Sequence, residues 1–438
     1  MKSIIVLLLC AAPVAAMAQP RGMQYFRQNN QHGINVFETS KNDTTPFTNM
    51  KVRLGGNFSQ DFQALKHENN ATPVLVNAVN TNELAGITSG FTLAMANLNI
   101  DAQLEDGIRM NLTLYLSARH HAETWVKGGY VQVDKLAFLK SALVDKIMKN
   151  FTIKAGAYEV DYGDQHYRRS DGGNSIYNPF IENYIMDEFA TEIGGEVYYH
   201  HNNGIIAMGG ISNGALNPTV AASKKIDTLT GKLNISAPAF HGKLGYDKQL
   251  NKDLRLRFTG SVYAVKSAAS NTLFWGDRTG SHYFFVMENS AATATANAWS
   301  GRYNPQFSQQ VTTFMLNPFV KYKGLELFGT YEMASGRKIT EPIKRTATQY
   351  AVDIIYRFPA GSENFWIGGR YNSMTAEQPL LASEVTVKRM AGTLGWFVTK
   401  NIMMKGEYVS QVYDNFEATD IRSGGKFNGF MAAAVVGF

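Results

Sequence analysis

Residues 425–438 read GKFNGFMAAAVVGF, and the chain ends on that phenylalanine. Counting back in steps of two gives Phe438, Val436, Ala434, Ala432 and Phe430, apolar at every second position with an aromatic ring at each end. Side chains alternate across a strand, so one face of this segment is wholly apolar. An unpaired apolar edge of that kind invites aggregation in water. It suits the closing strand of a transmembrane β-barrel, whose outward face meets lipid, whose rings sit at the membrane interfaces and whose edges are both paired.

The segment resembles the C-terminal insertion signal of bacterial outer-membrane barrels. That resemblance implies that Phe430 and Phe438 are read by the barrel-assembly machinery. The other end of the chain agrees. Lys2 supplies a positive start, Ile4–Ala12 an apolar stretch and Ala16-Met17-Ala18 a small-x-small cleavage site. Residues 1–18 are therefore expected to be a signal peptide, with the mature chain starting at Gln19. The apolar stretch is too short to cross a bilayer as a helix. Cys10, the single cysteine, lies inside it behind Leu9, where a lipoprotein site wants Gly, Ala or Ser. A mature chain without it has no disulfide, thiolate metal site or cysteine nucleophile.

Composition separates barrel from helical bundle. Mean hydropathy is −0.20, and no later window approaches the apolar length of a membrane helix. Yet 12% of residues are aromatic, Gly is abundant at 39 and Pro sparse at 12. A barrel that is apolar outside and polar inside averages to this hydropathy and needs aromatic girdles. Losing Lys2 lowers the formal charge from +6 to +5, too mild a bias over about 420 residues to suggest a nucleic-acid partner.

The alternation seen at the end recurs along the chain. Met110, Leu112, Leu114, Leu116 and Ala118 alternate with Arg109, Asn111, Thr113, Tyr115, Ser117 and Arg119, behind the tight-turn pair Asp106-Gly107. Leu254, Leu256, Phe258 and Val262 alternate with Arg255, Arg257, Thr259 and Ser261; Val352, Ile354, Tyr356 and Phe358 do so with Asp353 and Arg357. Charges on the hidden face of such long strands suit a water-filled lumen better than a soluble sandwich. The full walk gives strands near 51–64, 90–104, 108–119, 130–138, 151–162, 189–200, 203–213, 238–249, 253–267, 311–322, 324–335, 348–358, 363–373, 385–398, 401–412 and 426–438. The fold class is thus all-β: a transmembrane antiparallel barrel of sixteen strands, or eighteen if His282–Glu288 joins the wall, with long outer loops. Residues 51–438 form the barrel. Residues 140–150, KSALVDKIMKN, carry Leu143, Ile147 and Met148 at helical spacing and predict a short periplasmic helix. Residues 19–50, rich in Asn, Gln and Thr, read as a periplasmic N-terminal extension or small plug.

Polar function concentrates in 163–188, GDQHYRRSDGGNSIYNPFIENYIMDE, the third outer loop. By analogy with general porins, this loop folds inward and narrows the channel. It holds Asp164, His166, Arg168, Arg169 and Asp171. These charges set selectivity, as rings of charge do in pores, or brace the loop by ion pairs, or face the outer solvent. Neighbours in an extended stretch point opposite ways, so one of Arg168 and Arg169 is expected to face the solute path while the other holds the wall. Lumen-phase bases include Arg53, Arg109, Arg119, Lys154, Arg255, Arg257, Lys321, Arg357, Arg370 and Lys405, against the acids Asp61, Asp353 and Glu407. That balance favours anions.

Phe151–Asp164, FTIKAGAYEVDYGD, resembles the strand, Ala-Gly, Tyr/Phe-Gly passage of the phosphate-selective porin O and P family, through Ala155-Gly156 and Tyr162-Gly163. The similarity covers about a tenth of the chain, and the Asn/Gln/Tyr-rich style is like porins of the Bacteroidetes group. The resemblance implies a sixteen-stranded anion channel, often trimeric. This chain departs from it by lacking a dense ladder of lumen arginines and lysines, which puts phosphate selectivity in question. Expected partners are outer-membrane lipid and lipopolysaccharide, small hydrophilic solutes including phosphate or other anions, and a second and third copy of the chain. No cofactor is needed for passive flow.

The alternatives to a passive diffusion channel for small hydrophilic solutes are a specialised channel for oligosaccharides or hydrophobic substrates, and a barrel enzyme or adhesin. An energised receptor needs a plug far larger than 19–50. A barrel enzyme needs a fixed catalytic set, for which His166 with Asp164 and Ser170 is the local candidate. Asp161, Asp164 and Asp171 lack the loop pattern of a calcium site. The pairs His120-His121 and His200-His201 put neighbouring rings on opposite faces of a strand, a poor chelate. No Walker, dinucleotide or Gly-x-Ser-x-Gly fingerprint occurs.

Overall fold

A computed structural model describes residues 22–438 except 93, 118, 120–122, 172–173, 222–223 and 380–382. The signal-peptide reading, His120-His121 and the glycine pair at 172–173 lie outside the described residues. Among these residues, sixteen antiparallel strands make the wall. The first eight are β1 (Lys51–Glu68), β2 (Met95–Glu105), β3 (Ile108–Ser117), β4 (Trp125–Val133), β5 (Phe151–Glu159), β6 (Thr191–His200), β7 (Ile205–Ser212) and β8 (Ala239–Gln249). The rest are β9 (Leu254–Val265), β10 (Gln310–Tyr322), β11 (Leu325–Arg337), β12 (Arg345–Phe358), β13 (Phe365–Glu377), β14 (Glu384–Thr399), β15 (Ile402–Asp414) and β16 (Lys426–Gly437). Each pairs with its chain neighbour, and β1 closes the barrel by pairing with β2 over its first half and β16 over its second. Closure leaves no exposed strand edge, the condition for crossing lipid.

The alternation resolves as the periodicity predicts. Phe430, Val436 and Phe438 face outward and are exposed, while Met431, Ala433 and Val435 are buried inside. Val352, Ile354, Tyr356 and Phe358 likewise point out, with Asp353 and Arg357 in. At the end of the short turns, outward rings stack in series. Tyr356–Phe358, Phe358–Phe365 and Phe365–Trp396 have centroids 5.9, 5.8 and 5.8 Å apart, forming part of an interfacial girdle.

The fourth strand begins at Trp125, five residues earlier than its pattern suggested, and ends at Val133. Gly128-Gly129 looks like a turn but lies within the strand, opposite Thr113 and Leu112. The backbone leaves the wall at Asp134, whose N–H donates to Gly107 O. The predicted helix forms as α1 (Ala142–Met148). His282–Glu288 is not a wall strand. It lies against the inner face of β1, where His282 bonds Asp61 and the Phe284 N–H donates to Gln63.

The lumen is far from empty. Long connections at one end of the barrel are L1 (69–94), L2 (118–124), L3 (160–190), L4 (213–238), L5 (266–309), L6 (338–344), L7 (378–383) and L8 (415–425). L3 and L5 fold inward and share a buried apolar cluster with the wall: Ile176, Phe180, Ile185 and Met186 from L3, and Leu273, Phe274, Tyr283 and Val286 from L5, against Met315, Trp366, Met374, Val387 and Phe397. The inner faces of β10–β16 are therefore covered, and the water-filled lumen expected from the strand charges is confined to the other side. Residues 22–50 cross the opposite mouth. Gln24 bonds Asp106 and the Gly107 N–H, the Gln31 N–H donates to Lys400 O, Asn35 reaches Glu326 at 2.6 Å, and Lys41 donates to the carbonyls of Asp134 and Phe151.

Candidate functional site: a cavity between the third loop and the wall

L3 leaves β5 through Gly163, whose φ of +74° is the left-handed conformation that glycine adopts without steric cost. A Cβ there would run into the Met315 thioether. Gly156, the other glycine of the quoted passage, also has a positive φ, +141°, and sits against Gly129 O. The Tyr162 hydroxyl donates to Glu332 at 2.8 Å and fixes the loop's first turn to β11.

Ion pairs then staple L3 across the barrel. Asp164 accepts from Arg257 Nε and Nη2 at 2.7 and 2.8 Å, from the Thr259 hydroxyl at 2.7 Å and from Lys243 at 3.1 Å. Burial alone would raise this carboxyl, but Arg257 and Lys243 outweigh it and hold it well below the usual carboxylate range. Asp161 shares Lys243 and accepts from His166 Nε2 at 2.8 Å. Farther along, Lys405 donates to the carbonyls of Ser175, Asn178 and Phe180 at 3.0, 2.9 and 2.6 Å, and the Met186 N–H donates to Gln349 at 2.8 Å. Glu182, buried, would rise; Arg302 at 3.0 Å, with His282 and Ser281, brings it down to about 2.

Every described residue of L3 is buried except His166, Tyr167 and Asn174, and all three line one cavity of about 260 Å³. The cavity lies between L3 and the inner faces of β2–β6, bounded at the turn end by Phe26, Arg27, Phe37 and Glu38. Its wall is polar: Asn99, Asp101, Arg109, Asn111, Thr113, Lys127, Gln132, Thr152 and Lys154, interleaved with Tyr130, Tyr158 and Tyr198. Five Arg and Lys side chains line it (Arg27, Arg109, Lys127, Lys154, Arg169) against four acids (Glu38, Asp101, Glu159, Asp171). Lys127 is paired with Asp171 across the space and lies 3.9 Å from Glu159. Arg109 donates to the amide oxygen of Gln132 at 2.6 Å, and Arg27 to the carbonyls of Gly33 and Tyr167 at 3.0 and 2.8 Å. Arg27 also lies over the Tyr177 ring at 3.7 Å. Burial lowers His166, but its bonds to Asp161 and Glu159 outweigh that and raise it above the ordinary histidine value.

Of the nine residues singled out from the sequence, four meet at the cavity and five lie elsewhere. His166, Arg169, Asp171 and Arg109 meet at the cavity. Asp164, Arg255 and Arg257 form the clamp on the opposite wall, where Arg255 pairs with Asp247 at 2.6 Å. Arg168 turns to the β11 wall, bonding Asn35 and lying 3.6 Å from Glu326, so the two adjacent arginines do point apart. Arg169, on the cavity side, pairs with Asp187 at 3.0 and 2.7 Å. Arg119 reaches L5, donating to Arg278 O at 2.5 Å. The enzyme-like trio is not assembled: Asp164 goes to Arg257, His166 to Asp161, and the Ser170 hydroxyl donates to Ile181 O at 3.0 Å. Asp161 and Asp164 meet Lys243 while Asp171 meets Lys127, so the three aspartates do not gather around one point.

Lys127, Arg27, Asp101 and Tyr130 were not foreseen from the sequence. Lys127 sat in the stretch given to a loop, and Arg27 in the N-terminal extension. The inward acids were also undercounted: Asp101, Glu192, Glu196, Asp247, Glu326 and Glu332 all face inside. Most answer a base, as Glu196 does Lys154 at 3.3 Å and Glu326 does Arg357 at 2.8 Å.

The fold is similar to that of the anion-selective porin of Comamonas acidovorans, with 10% identity, 89% of this chain and 100% of that one covered, and a TM-score of 0.53. OmpT, an outer membrane protein of Vibrio cholerae, aligns at 9% identity over 90% of this chain and 99% of its own, TM-score 0.49. The outer membrane channel DcaP of Acinetobacter baumannii aligns at 10% over 89% and 98%, TM-score 0.47. No family model and no curated protein matches the sequence. At such low identity the likeness is one of fold. Among the described residues the chain is a closed sixteen-stranded antiparallel barrel, the architecture it shares with the Comamonas porin.

Proposed function

We propose that the protein is a passive diffusion channel for small hydrophilic solutes, that the solute path follows the cavity along β2–β6, and that it prefers anions. The observation that carries this reading is the pair Arg27 and Arg109. Both guanidiniums line the path, and their hydrogen bonds go to carbonyl and amide oxygens, not to carboxylates. A cation held that way keeps its field for a passing anion, and a low-dielectric wall focuses it. His166, raised by Asp161 and Glu159, adds positive charge on the L3 side of the cavity. The resemblance of Phe151–Asp164 to the phosphate-selective porins points to phosphate as one such anion, and the Comamonas neighbour is itself anion-selective by name. Short turns face the periplasm in bacterial barrels, which puts residues 22–50 at the periplasmic mouth. No cofactor enters this scheme.

Reversal potentials of single channels in a dilute salt gradient test it. Arg27→Gln with Arg109→Gln should lower anion-over-cation permeability more than Arg168→Gln, whose charge is spent on the far wall. The difference should shrink in molar salt, where the Debye length falls to about 3 Å. An unchanged reversal potential in the double variant would remove these arginines from the selectivity mechanism.

A further inference from the structure

The link between β4 and β5 exposes an apolar face for which the barrel offers no cover. It consists of a short 3-10 turn (Ala137–Leu139) followed by α1. Lys140, between them, has a left-handed φ of +47° and sets the bend. At about 100° per residue, Leu143 and Ile147 share one face of α1, and Val144 and Met148 the adjacent one. Met148 is buried against the barrel, whereas Leu143 is 69% and Ile147 49% exposed, and the preceding Phe138 and Leu139 are 60% and 50% exposed. Four large apolar side chains thus project from one short connection.

Two observations say what covers them. The patch is continuous with the lipid belt: Val131 on β4 and Ile153 on β5, the strands joined by this link, face outward and are exposed. The polar side of the same link is basic, with Lys140, Lys146 and Lys149 all exposed and Asp145 the one acid of the helix. An apolar face flanked by lysines, set at the rim of a membrane-spanning wall, has the character of an interfacial helix whose cations meet lipid phosphates.

We propose that residues 137–149 form a membrane foot. Phe138, Leu139, Leu143 and Ile147 dip into the headgroup–acyl boundary of the leaflet at the turn end of the barrel, and the three lysines bind anionic phospholipid headgroups there. The foot would fix the depth and tilt of the β2–β6 side, the side that carries the cavity, by tying it to the bilayer surface.

The mature chain offers no other cysteine, so a single engineered one reports locally. Leu143→Cys and Asp145→Cys are each labelled with an environment-sensitive fluorophore in the full-length barrel reconstituted in phosphatidylethanolamine–phosphatidylglycerol vesicles. The 143 label should be quenched several-fold more by a lipid nitroxide near the top of the acyl chain than the 145 label, and less by aqueous iodide. Quenching of the 143 label by iodide to the same extent as the 145 label overturns the proposal, because the face is then in water. Protection from both quenchers with Leu143→Cys cross-linking between copies overturns it in favour of a subunit contact. Ile147→Ser with Leu139→Ser changes exposed side chains and should leave the heat-modifiable barrel band intact while reducing lipid quenching at 143. Unchanged quenching in that variant also contradicts insertion of the face as a unit.

Discussion

Arg257 on β9 and Asp164 in L3 form a two-bond clamp, Nε and Nη2 each donating to one carboxylate oxygen at 2.7 and 2.8 Å. The same guanidinium reaches Glu38 of the N-terminal segment at 2.7 and 2.9 Å. One side chain therefore ties the third loop and the mouth-crossing segment to the same point on the wall.

Breaking one half of a buried pair leaves the other charge uncompensated, which costs about 3–5 kcal/mol. Arg257→Gln should therefore loosen L3, giving larger and noisier single-channel currents and faster proteolysis at the loop. Arg255→Gln, whose partner Asp247 is partly exposed, should do little. Identical currents from Arg257→Gln and the unaltered protein would mean that the clamp does not hold the loop.

The lipid phase of the wall is testable at adjacent residues. Leu114 faces outward on β3, and Thr113 faces the cavity, its hydroxyl donating to Asn99 at 2.8 Å. An arginine on the lipid face near the midplane costs about 2–4 kcal/mol, and one on the lumen face is solvated. Leu114→Arg should reduce the folded, heat-modifiable fraction in vesicles well below that of Thr113→Arg.

These phases were legible because lipid forces a period of two on every strand. The terminal run, β3, β9, β12 and β15 all read correctly from apolar alternation. What alternation hid was the inside. Val385, Val387, Met403, Val409, Met431 and Val435 are inward and apolar, so the inner faces of β14–β16 interleave apolar residues with the buried polar Arg389, Lys405, Glu407 and Gln411, as suits a sheet covered on both sides. The inward positions of β2–β5, from Asn97 through Asp101, Arg109, Asn111 and Thr113 to Lys154, stay polar. That contrast separates the covered wall from the wet one and could have placed the cavity beside β2–β6. Lys127 was lost to a different cause: Gly128-Gly129 is a glycine pair that breaks the apolar alternation, and long-range pairing with β3, joined at Gly129 by β5, holds it in a strand. Contacts such as Glu38 with Arg257, far apart in sequence, leave no local pattern at all.

The proposed anion preference carries a pH dependence through His166. Its pKa lies above the ordinary histidine value of 6.5, so its positive charge is complete below about that pH and is lost as pH rises through the raised value. Anion preference should fall over that upward range, and the charge-supported hold on Asp161 should weaken in the same direction. His166→Gln should flatten the fall while leaving preference at high pH near that of the unaltered protein. An equally steep pH dependence in the variant would assign it to another group.

Phe438 is half-exposed at the rim, and its backbone carbonyl accepts from Arg53 at 2.7 Å and the Gly56 N–H at 2.9 Å. Deleting it removes the terminal ring that the proposed insertion signal requires, together with a barrel-closing contact. Membrane-assembled protein in cells should drop sharply, whereas refolding of purified chain into vesicles should fall much less. Equal losses in the two settings would point to closure alone.

The most direct measurement is current block at the cavity itself. Thr113→Cys, in single channels reconstituted from residues 19–438, which contain no other cysteine, should lose most of its current when a negatively charged thiol reagent is added, because the adduct occupies the proposed solute path. Leu114→Cys, facing lipid, should be unaffected by the same reagent. Full current through modified Thr113→Cys channels, or no channel activity from the folded barrel, would contradict a solute path along β2–β6.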